Sequence, residues 1–371
     1  MSVSNGHGPQ QVDFDLHGLA GIRLIGASPH EVAAVARQLG PIQRPLGREP
    51  DIVIRFVDRL AATSRVRYLG VDEAGFTDDA FLVLRSKHKA RAKVQIPFEQ
   101  IGGRCEIVCE RGLPAVPLLI PILNLTVLSK GALPLHASAF NYQGQGVLTT
   151  GWSKGGKTET LLAFMSHGAE YIGDEWVFIT ADGARMYGIP EPIRVWDWHL
   201  SDLPQYRELV GRGDQARLQA IKLAQSAGRV MPRKVGGRVL PLLKRQLFVD
   251  VHPKKLFGAG FGAMTGTLDQ IFFVASHETP DVVVRPIEAQ EVAQRMVFSL
   301  QYERLPFMAF YMMFKFAFPE RSNPLIESAE ERQREVLTRV LAGKPAHSVY
   351  HPYPVSIPSL FEAISPLLGR H

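Results

Sequence analysis

Eight consecutive residues, Gly151-Trp152-Ser153-Lys154-Gly155-Gly156-Lys157-Thr158, match the pattern G-x-x-x-x-G-K-[ST] in full. Each position has a physical reason. Glycines at 151, 155 and 156 let the backbone take positive φ and approach an anion closely. Successive N–H groups then form a concave nest at a helix N-terminus, where the macrodipole also favours negative charge. Lys157 would bring an ammonium to the outer phosphates of a nucleotide, and the Thr158 hydroxyl is a hard oxygen ligand for Mg²⁺. The plain alternative is a glycine-rich surface loop with an unrelated lysine.

Two further groups lie at suggestive spacings. Asp174 and Glu175 follow Gly173 between two short apolar runs. Adjacent carboxylates at strand ends bind hard cations, and one of them could accept a proton from an attacking hydroxyl; a simple Gly-Asp turn is the other reading. His136 precedes the loop. If the hairpin turn between Leu135 and Gly151 centres between Gln143 and Gly144, paired residue numbers sum to 287 and His136 falls opposite Gly151. An imidazole there could hold a proton or a positive charge beside the loop, or it could simply pack in the hairpin. A slip of one residue would turn it to the other face.

The elements that must carry these groups follow from pattern. Leu135–Phe140 and Gly146–Thr150 read as the two strands of the hairpin, and Thr158–Ser166 as a helix stopped at His167-Gly168. Tyr171-Ile172 and Trp176–Ile179 read as strands flanking the acidic pair. Upstream, Gly21–Ile25, Asp51–Phe56, Phe81–Leu84 and Arg104–Cys109 read as strands. Pro29–Leu39 reads as a helix between a Ser28 N-cap and a Gly40 stop, and Leu118–Lys130 as an apolar helix. Ala289–Gly343 reads as helical.

Composition bounds the classes. The 371 residues are 46% apolar and 21% charged, as in an ordinary globular protein. Lys+Arg is 42 against Asp+Glu 36, a net +6, well short of what nucleic-acid binding usually needs. That charge is uneven: Ser201–Lys255 carries twelve basic and four acidic residues, and the remainder is slightly acidic. Such a segment could dock an acidic substrate or phosphates, with Arg233, Lys234, Lys244 and Arg245 as candidates, or serve as a solvated insertion. Two cysteines, Cys105 and Cys109, make neither a disulfide scaffold nor a zinc site. Prolines punctuate the run Leu113–Leu128, and Leu305–Phe318 has the length of a buried helix of about 14 residues, so no membrane span is expected. Met1–Gln11 lacks the features of a secretory signal. The expected location is cytoplasmic.

Taken together, these features resemble the HPr kinase/phosphorylase family, serine kinases with a phosphoenolpyruvate-carboxykinase-like catalytic domain. The likeness covers roughly Leu133–Trp196. It includes His136 on the strand before the loop, Gly151–Thr158 followed at once by Glu159, the helix stop at His167-Gly168, and the acidic pair. Glu175 stands where the family usually has a second aspartate, and Lys154 where it usually has glycine. Gly188–Arg194 is a loose counterpart of the family's acidic-Arg-Gly stretch, with Glu191 and Arg194 as the corresponding residues.

The resemblance implies an α/β fold of α+β mixed-sheet type: a P-loop kinase domain of HPr kinase/phosphoenolpyruvate carboxykinase type behind an N-terminal α/β region. From composition and element pattern, residues 1–14 read as a disordered tail, 15–130 as the N-terminal region and 201–255 as a basic insertion, and with the resemblance 131–371 reads as the catalytic domain with a helical C-terminal part. Gly151, Trp152, Ser153, Lys154, Gly155, Gly156, Lys157, Thr158 and Glu159 would bind ATP. Thr158, Asp174 and Glu175 would hold Mg²⁺. Asp174 would be the catalytic base, with His136 and Lys157 acting on the phosphoryl group. The acceptor would be a serine hydroxyl of a protein or peptide, and a homo-oligomer is implied. No nucleic-acid or membrane partner is expected. A P-loop ATPase or GTPase switch and a non-catalytic nucleotide sensor are the alternative readings.

Overall fold

The computed structural model describes residues 11–40, 42–85, 92–230, 240 and 242–369. It is a mixed α/β protein whose sheets combine parallel and antiparallel pairs. The chain forms two compact units, each assembled from three stretches. The first takes Met1–His136, Trp176–Ile189 and Glu288–Lys344; the second takes Ala137–Glu175, Pro190–Ile287 and Pro345–His371.

In the first unit the described residues build an eight-stranded sheet. Its centre is Ile52–Val57, which lies parallel to Ala20–Ile25 on one side and to Cys105–Glu110 on the other. A run of β-branched and aromatic residues suits a strand covered on both faces, and Ile52, Val53, Ile54 and Phe56 are buried. The helix Pro29–Leu39 begins at Ser28, whose N–H donates to the Glu31 carboxylate at 2.7 Å, and it ends at Gly40, as capping chemistry predicts. Gln11–Leu16 is a strand antiparallel to Ala20–Ile25, with Phe14 fully buried and Asp13 paired to Arg23 at 2.8 Å. This corrects the expectation of a tail through residue 14. Alternating burial and a cross-strand ion pair order Gln11–Phe14, while residues 1–10 lie outside the described residues.

The expected 14-residue buried helix at Leu305–Phe318 is also corrected. It is the second half of a 29-residue helix, Ala289–Ala317, with Pro306 inside it. One face of this helix sets Phe307, Tyr311 and Phe314 against Phe98, with ring centroids 5.2–5.8 Å apart. Burial on both sides of Pro306, of Met296 and Leu300 before it and of Phe307 and Tyr311 after it, offsets the hydrogen bond the proline cannot donate. Beyond the helix, the Asn323 side-chain amide donates to the carbonyls of Phe98 and Ile101 at 2.7 and 2.8 Å. The helical segment therefore groups with the N-terminal sheet, where the expectation had placed it in a catalytic domain starting at residue 131.

In the second unit, Ala137–Tyr142 and Gln145–Gly151 form the expected hairpin, and their pairs run from Tyr142↔Gln145 to Ala137↔Thr150. All of these pairs sum to 287. Gln143 and Gly144, at φ 50° and 80°, make the two-residue turn with both central residues left-handed, which matches strand twist. Gln145–Gly151 then pairs in parallel with Gln270–Ser276, and that strand with Ala346–His351. On the other side Glu170–Gly173 lies antiparallel to Ala139–Asn141. The helix Lys157–Met165 packs Phe164 flat on Phe140 at 4.7 Å. In the basic segment, the helix Arg212–Val230 is tied down by its own cations. Arg217 donates to the Gln246 carbonyl at 3.1 Å and to that of Phe248, and Lys222 pairs with Asp197 at 2.6 Å. Lys244 and Arg245 are described; Arg233 and Lys234 lie outside the described residues.

Candidate functional site

Strand Gln145–Gly151 delivers the chain to the loop, and helix Lys157–Met165 carries it away, so the G-x-x-x-x-G-K-T segment sits on a strand–loop–helix turn. Gly151 and Gly156 have φ of 157° and 108°. A Cβ at Gly151 would collide with the Val274 carbonyl, and one at Gly156 with the His351 ring. Gly155 is needed for space rather than for positive φ: a Cβ there would lie 2.9 Å from the Trp152 carbonyl oxygen and 3.2 Å from that of Val274. The left-handed residue at that point is Lys154, at φ 63°. Trp152 and Lys154 are exposed and Ser153 half-buried.

Lys157 is buried, and its ammonium donates to the carbonyls of Trp152 at 2.9 Å and Gly151 at 3.3 Å, which fixes the charge at the mouth of the loop. The Thr158 hydroxyl donates to the Asp174 carboxylate, at 3.0 Å to Oδ2 and 3.3 Å to Oδ1. Lys157, Thr158 and Asp174 are thus brought together. Asp174 is buried, and burial followed by the Glu175 charge raises its pKa to about 7, against the opposing pull of the Thr158 hydrogen bond and the Lys157 charge. Glu175 is exposed, in left-handed backbone at φ 66°, and its carbonyl accepts the Ala137 N–H at 3.2 Å.

Three supports of the loop have no local sequence signal. Glu159 is buried, and its carboxylate lies 3.2 Å from Nε2 of the equally buried His199. The Trp196 N–H donates to His199 Nδ1 at 3.2 Å, so the ring proton is on Nε2 and is given to Glu159. Burial, the largest single influence, raises the Glu159 pKa, but the His199 hydrogen bond, with smaller help from the His199 and His351 rings and its own backbone N–H, holds the carboxyl below its ordinary value. His351, fully buried, places Nε2 2.8 Å from the Gly155 carbonyl. Ser138 donates to the Lys157 carbonyl at 2.9 Å.

His136 belongs to the first unit, one residue before Ala137. It pairs across the strand with Trp176, and its Nδ1 lies 3.0 Å from Glu303 Oε1 of the long helix. Near it, Asn124, Pro134, Trp176, Glu303, Arg304 and Gln333 line a cavity of about 30 Å³, room for a water. Glu303 was not foreseen from sequence. Arg194 pairs with Asp250 on the neighbouring strand at 3.0 Å, and the Glu191 charge, after burial and that of Asp174, helps push the buried Tyr171 hydroxyl up.

Among the described residues no group of three or more His, Cys, Asp or Glu gathers to hold a metal on its own. Thr158 and Asp174 are hard oxygen donors within 3.3 Å of each other, and the raised Asp174 carboxyl is one that a cation would relieve. That set suits Mg²⁺ arriving on phosphates, an ion that keeps most of its own ligands and takes one or two from protein. Burial pushes the Cys105 thiol up to about 12 and the Cys109 thiol higher, so neither is a ready thiolate. No helix among the described residues is long and apolar enough to cross a membrane. No protein-family model matches the chain, and no curated protein matches it.

Proposed function

We propose that this chain is an ATP- and Mg²⁺-dependent phosphotransferase that hands the γ-phosphoryl group to a hydroxyl, a serine of a protein or peptide. The observation that carries the reading is the Thr158–Asp174 contact, a buried carboxylate with pKa about 7 at the first turn of a phosphate-loop helix. A base works best with a pKa near operating pH, and phosphoryl transfer needs positioning and charge neutralisation above all. In this reading Asp174 takes the proton of the acceptor hydroxyl. The acceptor oxygen bonds to the γ-phosphorus as the bond to the β–γ bridging oxygen breaks, and ADP leaves. The loop amides and Lys157 hold the β- and γ-phosphates. Thr158 and Asp174, with Glu175 beside them, would hold Mg²⁺, which neutralises phosphate charge. The strand before Asp174 pairs antiparallel with Ala139–Asn141, whereas a switch-type P-loop NTPase would place its carboxylate on a strand buried in a parallel sheet. That difference favours a kinase over a switch.

Calorimetry with ATP in magnesium buffer, together with γ-labelled transfer to serine-containing peptides, tests the proposal. Wild-type protein should bind. Lys157→Ala should lose at least about 100-fold in affinity. Asp174→Asn should keep binding within a few-fold while losing transfer by roughly 10²–10⁴. Folded wild-type protein that binds no purine triphosphate would end the reading. Turnover with water as the sole acceptor would make the chain an ATPase.

A further inference from the structure

The long helix Ala289–Ala317 is apolar on two faces. The inner face buries Val292, Met296, Leu300, Phe307, Tyr311 and Phe314. The outer face leaves Phe298, Tyr302, Leu305, Met312 and Phe316 between 49% and 74% exposed, with exposed Ala309 in line between Leu305 and Met312. The intervals along this outer stripe are 4, 3, 4, 3 and 4 residues, the spacing of the seam where two helices pack knobs into holes. A helix that is hydrophobic all round is ordinarily covered all round. We propose that the outer stripe is a two-fold interface with a second copy of this chain, the two long helices running antiparallel.

Three observations select a second copy. The stripe is self-complementary: antiparallel pairing about its midpoint sets Phe298 against Phe316, Tyr302 against Met312 and Leu305 against the small Ala309, so bulk meets bulk at the ends and a gap meets a knob at the centre. The stripe is also free of charge. Between Phe298 and Phe316 the charged residues are Glu303, Arg304 and Lys315, none of them on the stripe; Glu303 faces His136, Arg304 donates to Gln333 at 2.8 Å, and Lys315 lies 3.8 Å from Glu327. A copy meeting itself there encounters no like-charge repulsion, and a strongly charged partner finds nothing to pair with. Finally, the exposed fractions of the five large side chains correspond to roughly 700 Å² of apolar surface per protomer, close to the ~800 Å² that each partner contributes to a stable interface.

Sedimentation of the full-length protein tests this. Wild type at micromolar concentration should run as a dimer. Met312→Glu and Phe316→Glu, both at exposed positions, should run as monomers that still melt in one cooperative transition, their dissociation constants weakened at least 100-fold. Tyr68→Glu, exposed but off the stripe, should stay dimeric. The two native cysteines are buried, so introduced thiols report pairing. A mixture of Phe298→Cys and Phe316→Cys proteins should cross-link on mild oxidation, and neither should alone. A monomeric wild type, a dimer that survives both glutamates, or homotypic cross-linking of either cysteine variant would overturn the proposal. So would a wild-type monomer that instead floats with phosphatidylcholine/phosphatidylglycerol vesicles.

Discussion

Asp174 carries two opposed demands in one side chain. Its folded pKa of about 7 lies well above the ordinary 3.8, chiefly because burial withholds water from the carboxylate. Between those pH values the folded chain holds a proton that the unfolded chain has released. Stability of the nucleotide-free protein should therefore fall as pH rises from about 4 to about 7 and level off above. Asparagine carries no charge to bury and still accepts from Thr158. Asp174→Asn should accordingly melt on the order of 5 °C higher than wild type at pH 8 and about the same at pH 4, as followed by circular dichroism. Equal melting at pH 8 would mean that the carboxylate is not strained in the fold. A residue that destabilises its own fold at working pH is the usual signature of a functional group.

At the scale of elements, the Gly151–Thr158 loop is held from outside as much as by its own glycines. His199 is the clearest support, because it gives its one ring proton to a carboxylate that has little other compensation for burial. His199→Ala should lower stability by about 3–5 kcal/mol, the cost of leaving a buried charge without its partner. His199→Gln, which keeps a donor, should recover most of that. Denaturant midpoints measure both, and an alanine variant within 1 kcal/mol of wild type would refute the role. This support also marks where sequence reading stops. The loop, the helix stop at His167-Gly168 and the hairpin register could be read because local chemistry determines them: a positive-φ turn at Gln143-Gly144, a Gly-rich bend, an apolar run of strand length. His199, His351 and Glu303 could not, because each reaches its partner across 40 or more residues, and a lone histidine or glutamate in a helix or strand has no spacing that names its partner.

For the whole molecule, the same limit explains the boundary expected near residue 130. Burial does not respect that boundary. Neither compact unit is continuous in sequence, and the helical stretch Glu288–Lys344 groups with the N-terminal sheet. Phe98 is the pivot: fully buried, it takes Phe307, Tyr311 and Phe314 on its ring, while its carbonyl accepts from Asn323. Phe81 adds an edge-on contact to Phe314 at 6.0 Å. A fragment comprising residues 131–371 keeps the entire Gly151–Thr158 loop yet removes both of those rings. It would leave three large aromatic side chains uncovered on the long helix, each worth about 1.5–3 kcal/mol of burial. The fragment should therefore be insoluble or melt without a cooperative transition, whereas the full chain melts cooperatively. Recovery of a soluble fragment with a sharp melting transition and wild-type nucleotide affinity would show that residues 131–371 are a domain in their own right, and that the aromatic cluster around Phe98 is a contact the long helix can do without.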